Sequence, residues 1–82
     1  MKLLFERNTD ELLCLGEFSN EKLAMEATFN FLDQKNYKSH YTHFWKTTIK
    51  YKEKEYDAIK IDIGSHTEFF YILVRNIENL GG

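Results

Sequence analysis

Three side chains with the chemistry of a hydrolytic site lie close together in the sequence: Asp62, Ser65 and His66. A carboxylate, a hydroxyl and an imidazole catalyse hydrolysis when each group orients the next, and they usually come from separated parts of a chain. Here they fall within one predicted turn, Gly64-Ser65-His66-Thr67, where hydroxyl groups commonly bond the turn's own amides. We therefore predict no catalytic residues and a protein that is not an enzyme.

A metal site drawn from His40, His43, His66 and Cys14 has the right ligand types but the wrong spacing. His40 and His43 are three residues apart on a predicted strand, so their side chains point to opposite faces. The chain has no cysteine pair and no carboxylate–histidine pair at ligand spacing. Its glycines are single except at the end of the chain, so no phosphate-binding loop is formed. We predict neither a metal nor a cofactor.

Length and composition favour one small domain, residues 1–82, with 76–82 as a tail that frays. Seven Phe, five Tyr and one Trp are more rings than one helix and one sheet readily cover, so some are expected to meet another molecule. Cys14 lies in an apolar run and is predicted to be a buried thiol, which fits a reducing cytoplasm. No run is long enough for a signal peptide or a membrane span, so we expect a cytoplasmic protein with no membrane partner.

The net charge of −2 conceals a basic island in the middle of the chain. Residues 35–60 hold seven basic and three acidic side chains, whereas residues 1–34 hold three basic and seven acidic ones. Such an island is compatible with an acidic protein surface or with a nucleic acid, and requires neither.

Hydrophobic periodicity predicts the order β-β-α-β-β-β, an α+β fold with an antiparallel sheet of about five strands and one helix packed on it. Strands are expected over 2–6, 11–18 and 38–51, and a hairpin over 59–74 whose second strand is central. The helix is expected to follow Ser19 as its N-cap and to end near Lys35. Residues 52–55 contain no Gly or Asn and predict a loose, exposed connection.

The predicted helix carries an apolar side that should face the sheet. Met25 and Phe29 lie at the margin of that side, where they either pack under a neighbouring loop or form an interface. The residues expected on the apolar side are Leu23, Ala24, Ala27, Phe31 and Leu32.

The strongest binding feature is the aromatic and basic strand over 41–52. Rings that alternate along a strand are suited to a core or a protein interface, and rings beside lysines also stack single-stranded bases. A third hypothesis is a nucleotide-like signal held in a pocket of aromatic rings beside His43 or His66. The predicted partner-binding residues are Tyr41, His43, Trp45, Lys46, Lys50, Tyr51, Lys52, His66 and Glu68.

Residues 61–72, IDIGSHTEFFYI, together with Phe29-Asn30-Phe31-Leu32 and Asn36-Tyr37-Lys38-Ser39, resemble small proteins encoded by phages and prophages of Gram-positive bacteria. These proteins have no assigned activity. The resemblance implies a protein that works in the bacterial host cell by binding and blocking a host enzyme or an antiviral-defence protein. The leading hypothesis is thus a non-catalytic inhibitor or adaptor, with homodimerisation through the sheet or an edge strand as a further expectation.

Overall fold

In a computed structural model, which describes residues 1–7, 11–34, 43–64 and 67–77, five antiparallel strands form one sheet beside a single helix. The predicted α+β class and the β-β-α-β-β-β order are confirmed. The sheet order is β2-β1-β5-β4-β3, so β2 and β3 are the edge strands. The elements are β1 Lys2–Arg7, β2 Glu11–Glu17, α1 Glu21–Gln34, β3 His43–Tyr51, β4 Lys54–Asp62 and β5 Glu68–Asn76.

The predicted hairpin is the pair β4 and β5, joined in antiparallel register with Ile61 opposite Phe70. β5 lies between β4 and β1, and side chains on both of its faces are buried. A strand covered on both faces has an apolar sequence without alternation, which is why residues 69–74 predict the central position. Gly64, after β4, has a φ of 86°, and its N–H donates to Asp62 Oδ1 at 2.8 Å.

One face of the sheet, here called the covered face, packs against α1. Phe70 lies at the centre of this core, with its ring centroid 4.9 Å from that of Phe5 and 5.6 Å from that of Phe31 on the helix. Ala24 and Leu32 are the buried apolar residues of the helix, and the Thr28 hydroxyl, also buried, donates to the Ala24 carbonyl at 3.0 Å. α1 therefore packs mainly on β1 and β5.

Two expectations for the helix are wrong. Asn20, not Ser19, is the N-cap, because Asn20 Oδ1 accepts a hydrogen bond from the Leu23 N–H at 3.0 Å. Leu23 is 42% exposed and not part of the apolar side, because the buried stripe of α1 follows the four-residue spacing of Ala24, Thr28 and Leu32. A threonine reads as polar in the sequence, yet its hydroxyl bonds the preceding turn and leaves the methyl group to pack.

The opposite face, here called the open face, is not covered by α1. It nevertheless contains a second apolar cluster, in which Leu4, Tyr71 and Leu73 are buried. Cys14 lies opposite Leu4 in the register of β1 and β2, and is exposed. The predicted buried thiol is therefore wrong, since the edge position of β2 on the open face leaves it in solvent.

The loose connection predicted over 52–55 is also wrong. β3 and β4 are joined by a tight turn of Lys52 and Glu53, and Tyr51 pairs directly with Lys54. Both turn residues have positive φ, 49° and 64°, as a type I′ hairpin requires. The sequence conceals this turn because neither residue is the Gly or Asn that usually occupies such positions.

Left-handed backbone is unfavourable for a residue with a Cβ, so Glu53→Gly should stabilise the hairpin. The gain is reduced by the greater freedom of glycine in the unfolded chain, and we expect a net increase of about 0.5–1 kcal/mol in the free energy of unfolding. Urea denaturation of the original chain and of the variant measures this difference in the free energy of unfolding. The control is Glu53→Gln, which removes the charge and keeps the Cβ; an equal gain in that variant would assign the effect to charge instead of backbone.

Candidate functional site

A row of facing side chains crosses the open face from β3 to β1. Trp45 pairs with Lys60, Lys60 with Tyr71, and Tyr71 with Leu4. Residues that pair across antiparallel strands point to the same side of a sheet, so the four side chains share the open face. Each of the four strands contributes one residue to the row, so the row exists only because the strands pair in this register.

Lys60 lies among three rings on this face. Its Nζ is 4.2 Å from the ring centroid of Phe69, 5.5 Å from that of Tyr71 and 5.8 Å from that of Trp45. An ammonium group within about 6 Å of a ring face is attracted by the negative π surface. We call Lys60, Trp45, Phe69 and Tyr71 the Lys60 cluster.

A hydrogen bond extends the Lys60 cluster toward β1. The Tyr71 hydroxyl donates to Glu6 Oε1 at 3.3 Å. Burial raises the pKa of Tyr71, the hydrogen bond and charge of Lys60 oppose that rise, and the Glu6 carboxylate adds to it. The phenol is therefore held neutral between a cation and an anion.

Trp45 is the exposed member of the Lys60 cluster, at 39%. The His43 ring lies beside it, with 5.3 Å between the two ring centroids, and His43 pairs in register with Asp62. The exposed indole therefore occupies the β3 end of a surface whose other rings are more deeply buried.

The predicted binding residues of β3 divide between the two faces. Trp45 and Tyr51 belong to the open face, but Tyr51 is buried, and Lys52 Nζ lies 5.4 Å from the Tyr51 ring centroid. Lys46 pairs with Ile59 and Lys50 with Glu55, which places both lysines on the covered side. The exposed indole of Trp45 and the two lysines therefore lie on opposite faces of the sheet.

The remaining predicted residues are not part of the Lys60 cluster. Glu68 is on the covered side, beside Arg7 and Phe31 around a cavity of about 420 Å³. Tyr41 and His66 lie outside the described residues. The hypothesis of a nucleotide pocket beside His43 or His66 therefore stays a prediction.

The margin of the helix forms a second apolar surface on the covered side. Met25 and Phe29 of α1 and Phe44 of β3 line a groove of about 450 Å³. Met25 packs against the core, whereas Phe29 is 42% exposed and Phe44 54% exposed. Of the two marginal residues, Phe29 is thus the one that remains accessible within the part of the chain that the structure describes.

The sequence pattern alone does not indicate that Lys60, Phe69, Tyr71 and Glu6 come together. Lys60 lies between the buried Ile59 and Ile61, so period-2 alternation already placed it on the face opposite the core. Its ring neighbours come from β3 and β5, and the register that unites them is a property of the assembled sheet.

Comparison with protein-family models, with curated proteins and with solved structures finds no significant match. Among residues 1–7, 11–34, 43–64 and 67–77, no three His, Cys, Asp or Glu side chains are placed to hold a metal ion. Nor does the described chain contain a helix with the length and apolar character needed to cross a membrane.

The raised pKa of Tyr71 predicts that stability falls as the pH rises above the ordinary tyrosine value of 10.0. Between that value and the raised one, the folded protein keeps a proton that the unfolded chain has lost. Tyr71→Phe should reduce this loss of stability, and at neutral pH should cost about 1 kcal/mol for the missing hydrogen bond.

Urea denaturation on both sides of pH 10.0 provides the measurement. Glu6→Gln is the control: burial is the larger cause of the shift, so most of the pH dependence should remain in that variant. If Tyr71→Phe shows the same alkaline decline as the original chain, Tyr71 is not its source.

Proposed function

We propose that the protein is a non-catalytic binding protein that acts stoichiometrically, as an inhibitor or adaptor, on a host or antiviral-defence protein. Its contact surface is the open face around Trp45. The observation that carries the proposal is the Lys60 cluster, in which an exposed indole lies beside a cation and two further rings on a rigid sheet. The resemblance of residues 61–72 to phage and prophage proteins supports the class of partner.

The Lys60 cluster has the chemistry of an interface anchor. Trp and Tyr are enriched among the residues that dominate binding energy, because a large ring buries much area while losing few rotamers. Strands hold these rings in place before binding, which lowers the entropic cost of association. A partner that places an apolar side chain on Trp45 and a carboxylate near Lys60 would complement both features.

A second candidate function is binding of single-stranded nucleic acid, and it is favoured by one observation. Lys60 lies beside Trp45 on the same face, so a base stacked on the indole would have a cation nearby for its phosphate. Lys46 and Lys50 lie on the covered side and would not contribute to that surface. We therefore rank this function below protein binding.

Trp45 and Phe44 form a matched pair for testing the proposal. They are neighbours on β3, both are exposed, and they point to opposite faces. In capture from a lysate of the bacterial host, the original chain and Phe44→Ala should retain the same protein partner, whereas Trp45→Ala should lose it. Truncation of a central aromatic anchor typically costs at least about 2 kcal/mol, so we expect binding to weaken about thirtyfold or more.

The same indole distinguishes the two functions. Quenching of Trp45 fluorescence by single-stranded oligonucleotides, with a steep decrease as salt is added, would support the nucleic-acid function. Capture that depends on Phe44 and not on Trp45 would move the contact surface to the covered side and contradict the proposal.

A further inference from the structure

Within the described part of the chain, the outer edge of β3 is the longest edge of the sheet without a neighbouring strand. Among the described residues β3 pairs only with β4, along nine residues without a register shift. The other edge, β2, is bent by a bulge, where the register with β1 shifts between Leu3 and Leu4. A bulge protects an edge from pairing, whereas a long regular edge presents a row of backbone donors and acceptors.

The turn that joins β3 and β4 determines which backbone groups point outward. A hairpin turn carries a hydrogen bond from its fourth residue to its first, so Tyr51 and Lys54 form a hydrogen-bonded pair. Such pairs recur at every second residue, and Ile49, Thr47 and Trp45 therefore also bond to β4. The intervening residues direct their N–H and C=O groups to the free edge: Phe44, Lys46, Thr48 and Lys50.

We propose that this edge pairs with β3 of a second copy, antiparallel, about a two-fold axis at Thr47. The two sheets then join into one continuous sheet of ten strands, twice the five of a single chain. The four outward residues of each copy form hydrogen-bonded pairs, which supply about eight backbone hydrogen bonds between the copies.

Side-chain pairing selects the axis at Thr47 over its neighbours. An axis at Lys46 would place that lysine opposite its own copy, and an axis at Thr48 would place Lys46 opposite Lys50; like charges directly opposite are destabilising. With the axis at Thr47 no like charges face each other, and nine residues of each strand overlap. The resulting pairs between copies are His43 with Tyr51, Phe44 with Lys50, Trp45 with Ile49, Lys46 with Thr48, and Thr47 with Thr47.

These pairs account for side chains that are exposed in the single chain. Trp45 would contact Ile49 of the second copy laterally, as an aromatic and β-branched pair of the kind that stabilises sheets. The side of the indole that is directed away from the sheet would remain on the open face, where the proposed partner contacts it. Phe44, 54% exposed, would lie beside the Lys50 ammonium of the second copy. Lys50 also has Glu55 opposite it on β4 to offset its charge.

The two-fold axis is perpendicular to the sheet, so both open faces lie on the same side of the dimer. Each Lys60 cluster then continues across the axis toward the other, and both helices lie on the opposite side. The inference rests on the β3 edge alone and does not depend on the identity of any other partner.

Adjacent threonines allow the dimer and its register to be tested together. A pair that faces itself across the axis brings its Cα atoms to about 4.5 Å in the non-hydrogen-bonded geometry, within disulfide range. Thr47→Cys, in a Cys14→Ser background that removes the exposed native thiol, should therefore form an intermolecular disulfide on mild oxidation. Thr48→Cys in the same background is the control, because Thr48 faces Lys46 of the second copy and not itself.

We expect the full-length chain to sediment as a dimer, and Thr47→Cys to cross-link at least about tenfold more than Thr48→Cys, since a disulfide needs close Cα atoms. A monomer at all concentrations would overturn the inference. Preferential cross-linking of Thr48→Cys would overturn the register, and a dimer in which neither variant cross-links would place the interface elsewhere. Species larger than a dimer would indicate head-to-tail pairing of β2 with β3 and would likewise contradict the two-fold arrangement.

Discussion

The contact of Phe70 with Phe5 and Phe31 is the interaction on which the rest of the fold depends. It joins the central strand β5, its neighbour β1 and the helix at one point, with ring centroids 4.9 and 5.6 Å from that of Phe70. α1, the only helix among the described residues, packs on β1 and on β5, the middle strand of the sheet. β2 and β3 are the edges: the register of β2 is interrupted by a bulge, and that of β3 is regular.

A single helix covers only one face of a five-stranded sheet, so among the described residues the apolar side chains of the open face are shielded by one another. Rings and the aliphatic stem of a lysine do this, since such side chains cover apolar surface and keep a polar end near water. The arrangement leaves Tyr71 buried, and this burial is the main cause of its raised pKa, to which Glu6 adds and which Lys60 opposes. The same shielding leaves the Lys60 cluster partly exposed, and it is the surface that we propose for binding.

The strand β3 carries both proposed contacts, one through its side chains and one through its backbone. Its odd-numbered residues face the open side and bond to β4, whereas the even-numbered residues face the covered side and direct their backbone to the free edge. The tight turn at Lys52 and Glu53 establishes this alternation, because it determines which residues of β3 form hydrogen-bonded pairs with β4.

Much of the architecture was determined by the sequence. Alternation of Ile59, Ile61 and Ile63 with polar residues predicts a half-buried strand, and the apolar run after Glu68 predicts the central one. Residue preferences at helix caps and turns were a weaker guide to the structure. Asn20 displaced Ser19 as helix cap, and Lys52 with Glu53 formed a turn that usually takes Asn and Gly. Backbone strain of this kind is tolerated when the strands on either side pair strongly.

The proposed binding surface depends in part on sequence and in part on tertiary structure. Alternation along β3 already separated Trp45 from Lys46 and Lys50, because successive side chains of a strand point to opposite faces. Which residues of other strands join Trp45 was decided only by the register, which places Lys60 beside Trp45 and Tyr71 beside Lys60. Cys14 is a second case in which sequence neighbours do not give the position in the sheet: its apolar neighbours predict burial, and its place on an edge strand exposes it. Periodicity is a local property of the chain, whereas register and strand order depend on contacts between residues distant in sequence.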